Sequence, residues 1–391
     1  MSLLQGPRLV ILLILVSFPS VCAVLFTPAL PELAQYFQIS NSLAQASMTL
    51  FLVGYSMGQL PYAPLANRYG RKKTIYIGLL VALIGTLICW AAPTINWLLG
   101  GRFLQALGAA VGLKITFTMI GDSHTGAQAT KVISYIMLAF AIAPGLAIAF
   151  GGLLVDTLGW KSCFLFLTIY AVLLGFLCLA LPETAPRVDK EALKLNVIRR
   201  NYARQFLNPA LMFHALLNGL GTSVIYLFAT CAPYIGITEM QLSPSLYGLL
   251  NLIPLFGFGL GQLLTSSLAD SVTPRRAMLW GILVMSSGMS AMWISFAFHW
   301  ILPLTLFLPQ AFIMIGVSLL SSNTSSQGLG ASTDKAHAAA VLQFTNMSSA
   351  ALSTYIASSW LPHKAITLPS VYLVIAILML AYWWKLRKIR V

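Results

Sequence analysis

The sequence predicts an all-α membrane protein of twelve transmembrane helices, arranged as two six-helix bundles related by a pseudo-twofold. Three observations carry that prediction. Charged residues are 8% of the chain and apolar residues 58%, where soluble proteins hold roughly 25% charged residues; lipid must be the solvent for most of this surface. The 391 residues match about twelve spans of roughly 20 residues. The stretch from Gly58-Gln59-Leu60 through Leu65-Ala66-Asn67-Arg68-Tyr69-Gly70-Arg71-Lys72-Lys73 returns 203 positions later as Gly261-Gln262-Leu263, Leu268-Ala269-Asp270 and Arg275-Arg276. A repeat at half the chain length describes two related halves.

Hydropathy places the spans at 9–30, 45–65, 74–92, 97–119, 132–155, 162–181, 210–233, 245–266, 277–297, 301–322, 338–360 and 368–384. The first resembles a cleavable signal segment, with Arg8 before an apolar run and small residues at Val21-Cys22-Ala23. Removing it would leave an odd number of spans and put the basic stretch 68–73 outside, so it counts as span 1. The expected units are residues 1–181, a linker at 182–208, and residues 209–391.

Charge then sets orientation. With both termini cytoplasmic, nineteen of the 23 Lys and Arg residues fall on the cytoplasmic side; Lys161 and Lys364 fall outside, and Arg102 and Lys114 lie within span 4. That asymmetry is the positive-inside pattern and accounts for the net charge of +14. Nucleic acid is therefore not an expected partner; the lipid bilayer is. The five cysteines lie in or beside apolar segments without metal-ligand spacing and read as small core residues. Residues 192–206 of the basic linker read either as an amphipathic helix on anionic lipid or as a solvated connector.

The residues 58–73, Leu25 to Ala34 with Pro28-Ala29-Leu30-Pro31, Arg102-Phe103-Leu104-Gln105-Ala106-Leu107-Gly108, and Pro144 through Gly151-Gly152 together resemble the major facilitator superfamily. The match is to its twelve-span drug:proton antiporters of the Bcr/CflA type, and covers most of the N-terminal half. The resemblance implies the fold of that superfamily, location in a bacterial inner membrane, and proton-coupled efflux of a small organic solute. It implies gating roles for Asn67, Arg68, Gly70, Arg71, Asp270 and Arg275, and for Pro144, Gly151 and Gly152 in span 5. Two departures stand out. Asn67 occupies the signature's acidic position, which removes its usual charge contact. The stretch Ala23-Val24-Leu25-Phe26 lacks the carboxylate that many members carry in span 1.

All nine acidic residues fall in loops or at span ends, whereas Arg102 and Lys114 lie in the bilayer. An ionised residue at mid-bilayer costs about 2.5–3.5 kcal/mol on the insertion scale. The two cations are twelve residues apart, which is about 18 Å along a helix and about 120° around it. Arg102 either bonds carbonyls of neighbouring helices or meets substrate or gate; Lys114 either reaches a substrate or snorkels to the interface. Tyr55, Gln59, Asn218, Tyr226, Asn251, Gln310, Gln343 and Asn346 supply polar groups from other spans. Each either lines the cavity or bonds between helices. His214 and His337 near span ends are further titratable groups.

Two functional readings follow. One is proton-driven export of a small organic solute by alternating access. The other is a permease for an organic anion, such as a carboxylate siderophore or metabolite, suggested by two cations without an intramembrane acid. A membrane enzyme would need clustered acids, histidines or a nucleophile, and the dispersed acids oppose it. No cofactor or metal is expected, and the chain is expected to act as a monomer.

Overall fold

The computed structural model describes residues 7–124, 126–185, 188–360 and 364–386. Arg187, Arg387, Lys388 and Arg390 of the charge count lie outside the described residues. The helices are α1 (Pro7–Val24), α2 (Leu30–Tyr36), α3 (Asn41–Gly58), α4 (Tyr62–Tyr69), α5 (Arg71–Trp90), α6 (Ile95–Ala109), α7 (Val111–Ser123), α8 (Gly126–Leu158), α9 (Lys161–Leu177), α10 (Leu195–Phe206), α11 (Pro209–Pro233), α12 (Pro244–Leu250), α13 (Leu252–Leu268), α14 (Pro274–Ala297), α15 (Pro303–Gly330), α16 (Lys335–Trp360) and α17 (Thr367–Leu386). Among the described residues there is no strand.

These helices make twelve crossings, because three spans are each built from two helices. In span 1, α1 stops at Val24, a short 3-10 turn covers Thr27–Ala29, and α2 resumes with Pro31 in its first turn. Prolines 28 and 31 cannot donate to the preceding turn, so the helix parts there. In span 4, α6 hands over to α7 at Ala110. In span 8, α12 ends beside Asn251 and α13 begins at Leu252; Pro254 leaves the Leu250 carbonyl without its usual donor. Span 5 behaves otherwise, since α8 runs unbroken through Pro144. The basic stretch 68–73, expected as a loop, is a helix–glycine–helix junction. α4 ends at Tyr69, Gly70 takes φ +91°, and α5 begins at Arg71. Only glycine adopts that conformation without strain.

The duplication is visible in the packing. α5 packs on α6, α3 on α6, α1 on α8 and α5 on α9; the second half repeats this with α14 on α15, α13 on α15, α11 on α16 and α14 on α17. The halves meet along two seams, α3 against α16 and α8 against α12 and α13. Ten helical stretches among the described residues are long and apolar enough to cross a membrane on composition alone. The other two crossings are α3 and α16, the pair that faces across the first seam. Their polar residues belong to the junction between halves, not to the lipid.

Of the two readings of the linker, the helix is present, as α10, and its apolar side meets protein. Ile198, Tyr202 and Phe206 bury their apolar side against Leu60, Leu211 and Val341, so the helix neither lays that face on lipid nor floats in solvent. Arg199, Arg200 and Arg204 point outward. The end of the molecule carrying α10 is called the linker end below, and the opposite end the distal end.

Candidate functional site

Arg102 is fully buried, at 0% exposure, and its surroundings follow from the break in span 1. The last carbonyls of a helix have no intrahelical partner, and here each of the last four of α1 finds one. Val21 O accepts from Leu25 N at 3.0 Å. Cys22 O accepts from Arg102 Nη1 at 2.8 Å and Ala23 O from Nη2 at 3.2 Å. Val24 O accepts from Thr27 Oγ1 at 2.8 Å. The guanidinium also donates to Gln105 Oε1 at 2.5 Å, and Gln105 Nε2 donates to Thr86 at 2.8 Å. Phe26 and Phe51 cover its two sides, with ring centroids 4.0 and 4.2 Å from Cζ. A cation at the carbonyl end of a helix is favourably placed, and stacking on rings adds to it. Of the two readings for Arg102, the carbonyl contacts are therefore present. Gln105 and Phe26 appear in the sequence reading only inside longer motifs, without a role, and Phe51 does not appear; Phe51 one turn before Tyr55 is the available signal, and the two rings stack at 6.2 Å.

Lys114 of α7 reaches toward the linker end. Its Nζ donates to the Ala336 carbonyl at the start of α16, 2.8 Å away in the other half. Tyr202 of α10 donates to Leu60 O at 2.7 Å, stands edge-on to His337 at 5.0 Å, and is flanked by Gln205, which accepts from Ser332 at 2.9 Å. Burial, and then the nearby Asp334 carboxylate, hold the Tyr202 phenol above its ordinary range. α10 thus ties the end of α3 to the start of α16. At the distal end Tyr234 donates to Leu30 O at 3.1 Å. A Cβ on Gly152 would run into the Pro244 carbonyl of α12, and one on Gly151 into the Leu25 carbonyl. Between the ends, Ser56 meets Ser348 at 2.6 Å and donates to Phe344 O at 3.0 Å, and Thr49 donates to Thr354 at 3.1 Å. The halves therefore touch at both ends around a polar middle.

The predicted polar residues divide. Tyr55, Asn218 and Asn346 are buried on α3, α11 and α16, Gln59 is buried as the residue that ends α3, and Tyr226 is half-buried on α11. Among the described residues, the Tyr55 hydroxyl, Asn218 Oδ1 and Asn346 Oδ1 have no hydrogen-bond partner. Asn218 Nδ2 donates to Ser325 at 3.2 Å, and Asn346 Nδ2 to Gln343 Oε1 at 2.9 Å. Gln59 Nε2 reaches its own helix at Tyr55 O, 3.4 Å away. Two residues bond within the second half. Gln310 accepts from Tyr372 at 3.3 Å, and Tyr372 also donates to Val224 O at 3.0 Å, inside the second half. Asn251 Nδ2 donates to Tyr247 O at 2.8 Å, finishing α12. Two grooves, of about 490 and 410 Å³, lie between α1, α8 and α9, are almost wholly apolar, and contain none of the predicted residues.

At the linker end Arg71 has a carboxylate partner after all, despite Asn67. Its Nε lies 2.7 Å from Asp122 Oδ2 and Nη2 3.3 Å from Oδ1, while Nη1 donates to Ala66 O at 3.0 Å and reaches Asn67 Oδ1 at 3.4 Å. Asn67 O accepts from Asp189 N at 2.9 Å. Glu183 from the linker caps α5, accepting from Arg71 N at 2.9 Å, Lys72 N at 3.0 Å, Thr184 N at 3.0 Å and Ala185 N at 2.9 Å. Burial pushes this carboxyl up, but the four backbone donors outweigh it and hold it below its ordinary value. A Cβ on Gly70 would sit 2.6 Å from Glu183 Oε2. Arg68 lies over the Tyr69 ring at 5.6 Å. The repeat in the second half carries no such cluster: Asp270 makes no ion pair among the described residues, and Arg275 lies over Trp383 at 5.7 Å. Pro144 sits within α8, and Gly145 packs on Leu255 of α13.

Known proteins share this architecture. The Major Facilitator Superfamily profile matches residues 11–238. An uncharacterized transporter of Rickettsia bellii is 29% identical over 285 residues, covering 71% of this chain and 69% of its own length. Multidrug resistance protein D of Escherichia coli is 25% identical over 248 residues, covering 63% and 62%. A bicyclomycin resistance protein homolog of Haemophilus influenzae is 26% identical over 216 residues, covering 54% of each. The aligned regions span about half to two thirds of these relatives. Among solved structures, the partially occluded inward-open xylose transporter XylE of E. coli superposes with a TM-score of 0.78 at 14% identity over 97% of both chains. A POT family transporter in complex with 5-aminolevulinic acid gives 0.73 at 13% identity over 96% of both.

Proposed function

The chain belongs to the Major Facilitator Superfamily, and on that premise we propose that it exports a small organic solute by alternating access, in exchange for protons. Residues 1–181 and 209–391 are the moving units, and 182–208 the connector between them. The observation that carries the reading is the pair of seals at opposite ends of one polar interior, Tyr234 on Leu30 O and Lys114 on Ala336 O. A carrier that opens alternately must make and break both. The names of the multidrug and bicyclomycin resistance relatives support export of organic compounds. The protein would sit in a bacterial inner membrane with both termini cytoplasmic, so that the linker end faces the cytoplasm. It would act as a monomer, with substrate contacts from Tyr55, Asn218, Tyr226 and Asn346.

The organic-anion reading, including a carboxylate siderophore, keeps less support. The Arg102 guanidinium is occupied by carbonyls, Gln105 and two rings, and Lys114 by Ala336. Counterflow in proteoliposomes separates the two. Exchange of ethidium but not citrate supports the export reading; exchange of citrate alone replaces it with an anion permease. Collapse of an imposed pH gradient must stop ethidium accumulation, and continued accumulation removes the proton from the scheme.

A further inference from the structure

The one acid of span 1, Glu32, lies in α2 at the distal end and accepts from Trp160 N at 3.4 Å, and the other acids lie in loops or at span ends, so a proton-coupled carrier of this sequence calls for a further titratable group. One pair inside the second half has the required chemistry. His214 and Asn218 are one turn apart on α11, 7% and 3% exposed, with side chains on one face and Cβ atoms about 6 Å apart by helix geometry. His214 Nδ1 and Asn218 Oδ1 both lack a hydrogen-bond partner among the described residues. A buried polar atom left unpaired costs roughly 1–3 kcal/mol, and two on the same face call for something to bridge them.

We infer that His214 and Asn218 form the proton-binding site of the carrier, an assignment that rests on the proton-coupled reading above. In the neutral ring with its hydrogen on Nε2, Nδ1 holds a lone pair; hydronium from the aqueous phase gives up a proton to it, an O–H bond breaking and water leaving as the N–H bond forms, and the new Nδ1–H donates to Asn218 Oδ1. One proton thus satisfies both orphan atoms. Ser325 accepts from Asn218 Nδ2 at 3.2 Å, which holds the amide by its nitrogen and leaves its oxygen unengaged. The helices packed around the pair leave the site without a competing charge. α15 contains no ionisable residue, and Gly328 of α15 meets the His214 Cβ face. α16 brings Lys335 and His337, the latter paired with Asp334 at 2.7 Å. α17 brings Lys385 and Tyr382, the latter stacked on Phe213 at 4.3 Å. α10 brings Tyr202, bonded to Leu60 O, and arginines that face outward. The affinity for the proton therefore depends on how closely the Asn218 oxygen approaches, and a shift of α11 against α15 would change it. That is how proton binding couples to movement.

The test needs no transported substrate. Full-length protein labelled with ¹⁵N-histidine in nanodiscs is titrated by NMR, with His214→Gln identifying the signal. Asn218→Asp should raise the His214 midpoint by at least about one pH unit, a tenfold gain in proton affinity; Asn218→Leu should lower it. Nitroxides at Lys73→Cys and Arg276→Cys, on the linker-end surface of each half, should report a distance that follows the same midpoint and stops responding to pH in His214→Gln. A midpoint indifferent to both Asn218 changes, or a distance in His214→Gln that tracks pH as the parent does, overturns the site. If both signals behave as expected while ethidium counterflow fails, the site stands and the transport reading falls.

Discussion

Asp122, at the end of α7, lies 2.7 Å from the Arg71 guanidinium that opens α5, joining spans 3 and 4 at the linker end across 51 residues of chain. Both side chains are nearly buried, and Thr184 of the linker also donates to Asp122 at 3.1 Å. Hydrogen bonds between charged groups contribute about 1.5–3 kcal/mol. Asp122→Asn should lower the unfolding midpoint in detergent by that order. In a double-mutant cycle, Arg71→Gln with Asp122→Asn should cost clearly less than the sum of the single changes; additive costs would mean that the two do not act as a pair.

Arg102→Lys tests the end of α1. Lysine keeps the charge but cannot present the fork that reaches Cys22 O, Ala23 O and Gln105 together. The variant should reach the membrane, lose thermal stability by about 1.5–3 kcal/mol, and lose most of its counterflow activity. Activity equal to the parent would show that the carbonyl contacts are dispensable.

Lys114→Ala removes the contact to Ala336 O and should loosen the linker end. Ethidium and citrate exchange, where present, should change by the same factor, because Lys114 acts on the closure and not on solute charge. A loss confined to citrate would return Lys114 to the substrate.

Glu183 gives a pH signature. Its carboxyl is held below its ordinary value in the folded protein, so its stabilisation is fully present above that ordinary value and is lost as pH falls through the folded one. Glu183→Gln should therefore melt below the parent at pH 7. The gap should close once the solution is acid enough to protonate Glu183 in the folded chain. A gap that persists there would place the effect outside this carboxylate.

Gly152→Val would drive a side chain into the Pro244 carbonyl and hold α8 off α12. Labels at Thr157 and Gln241, on the distal surface, should move apart, and exchange should fall; an unchanged distance would show that the distal seam tolerates the bulk.

Most crossings were legible because contact with lipid leaves a compositional mark, clear on ten of them; α3 and α16, which face each other across a seam, carry a weaker one, and the repeat and the charge asymmetry supplied the parity. The breaks were less legible, and proline shows why. Pro144 lies inside an unbroken α8, whereas Pro28 and Pro31 part α1 from α2. The ring is the same; the end of α1 is finished by distant groups, and Arg102, which meets Cys22 O, lies 80 residues from it. Arg71 with Asp122, and Glu183 with the start of α5, were missed for the same reason. Each joins groups distant in sequence, and no local periodicity encodes them. Gln310 and Asn251 bond within the second half; a polar residue in an apolar span marks a required partner without saying whether it belongs to the cavity or to the neighbouring helix.

The hydroxyl rungs between α3 and α16 have a consequence for how the molecule wears. Thr354 already shares its hydroxyl with Ala351 O of its own helix at 3.0 Å, and serine and threonine in general can fold back onto a carbonyl one turn away. Parting this seam therefore strands no group in oil, and each rung lost costs only about 0.6 kcal/mol. Such a fastening unzips and re-closes without fatigue, where interlocked leucines would have welded the halves into one block.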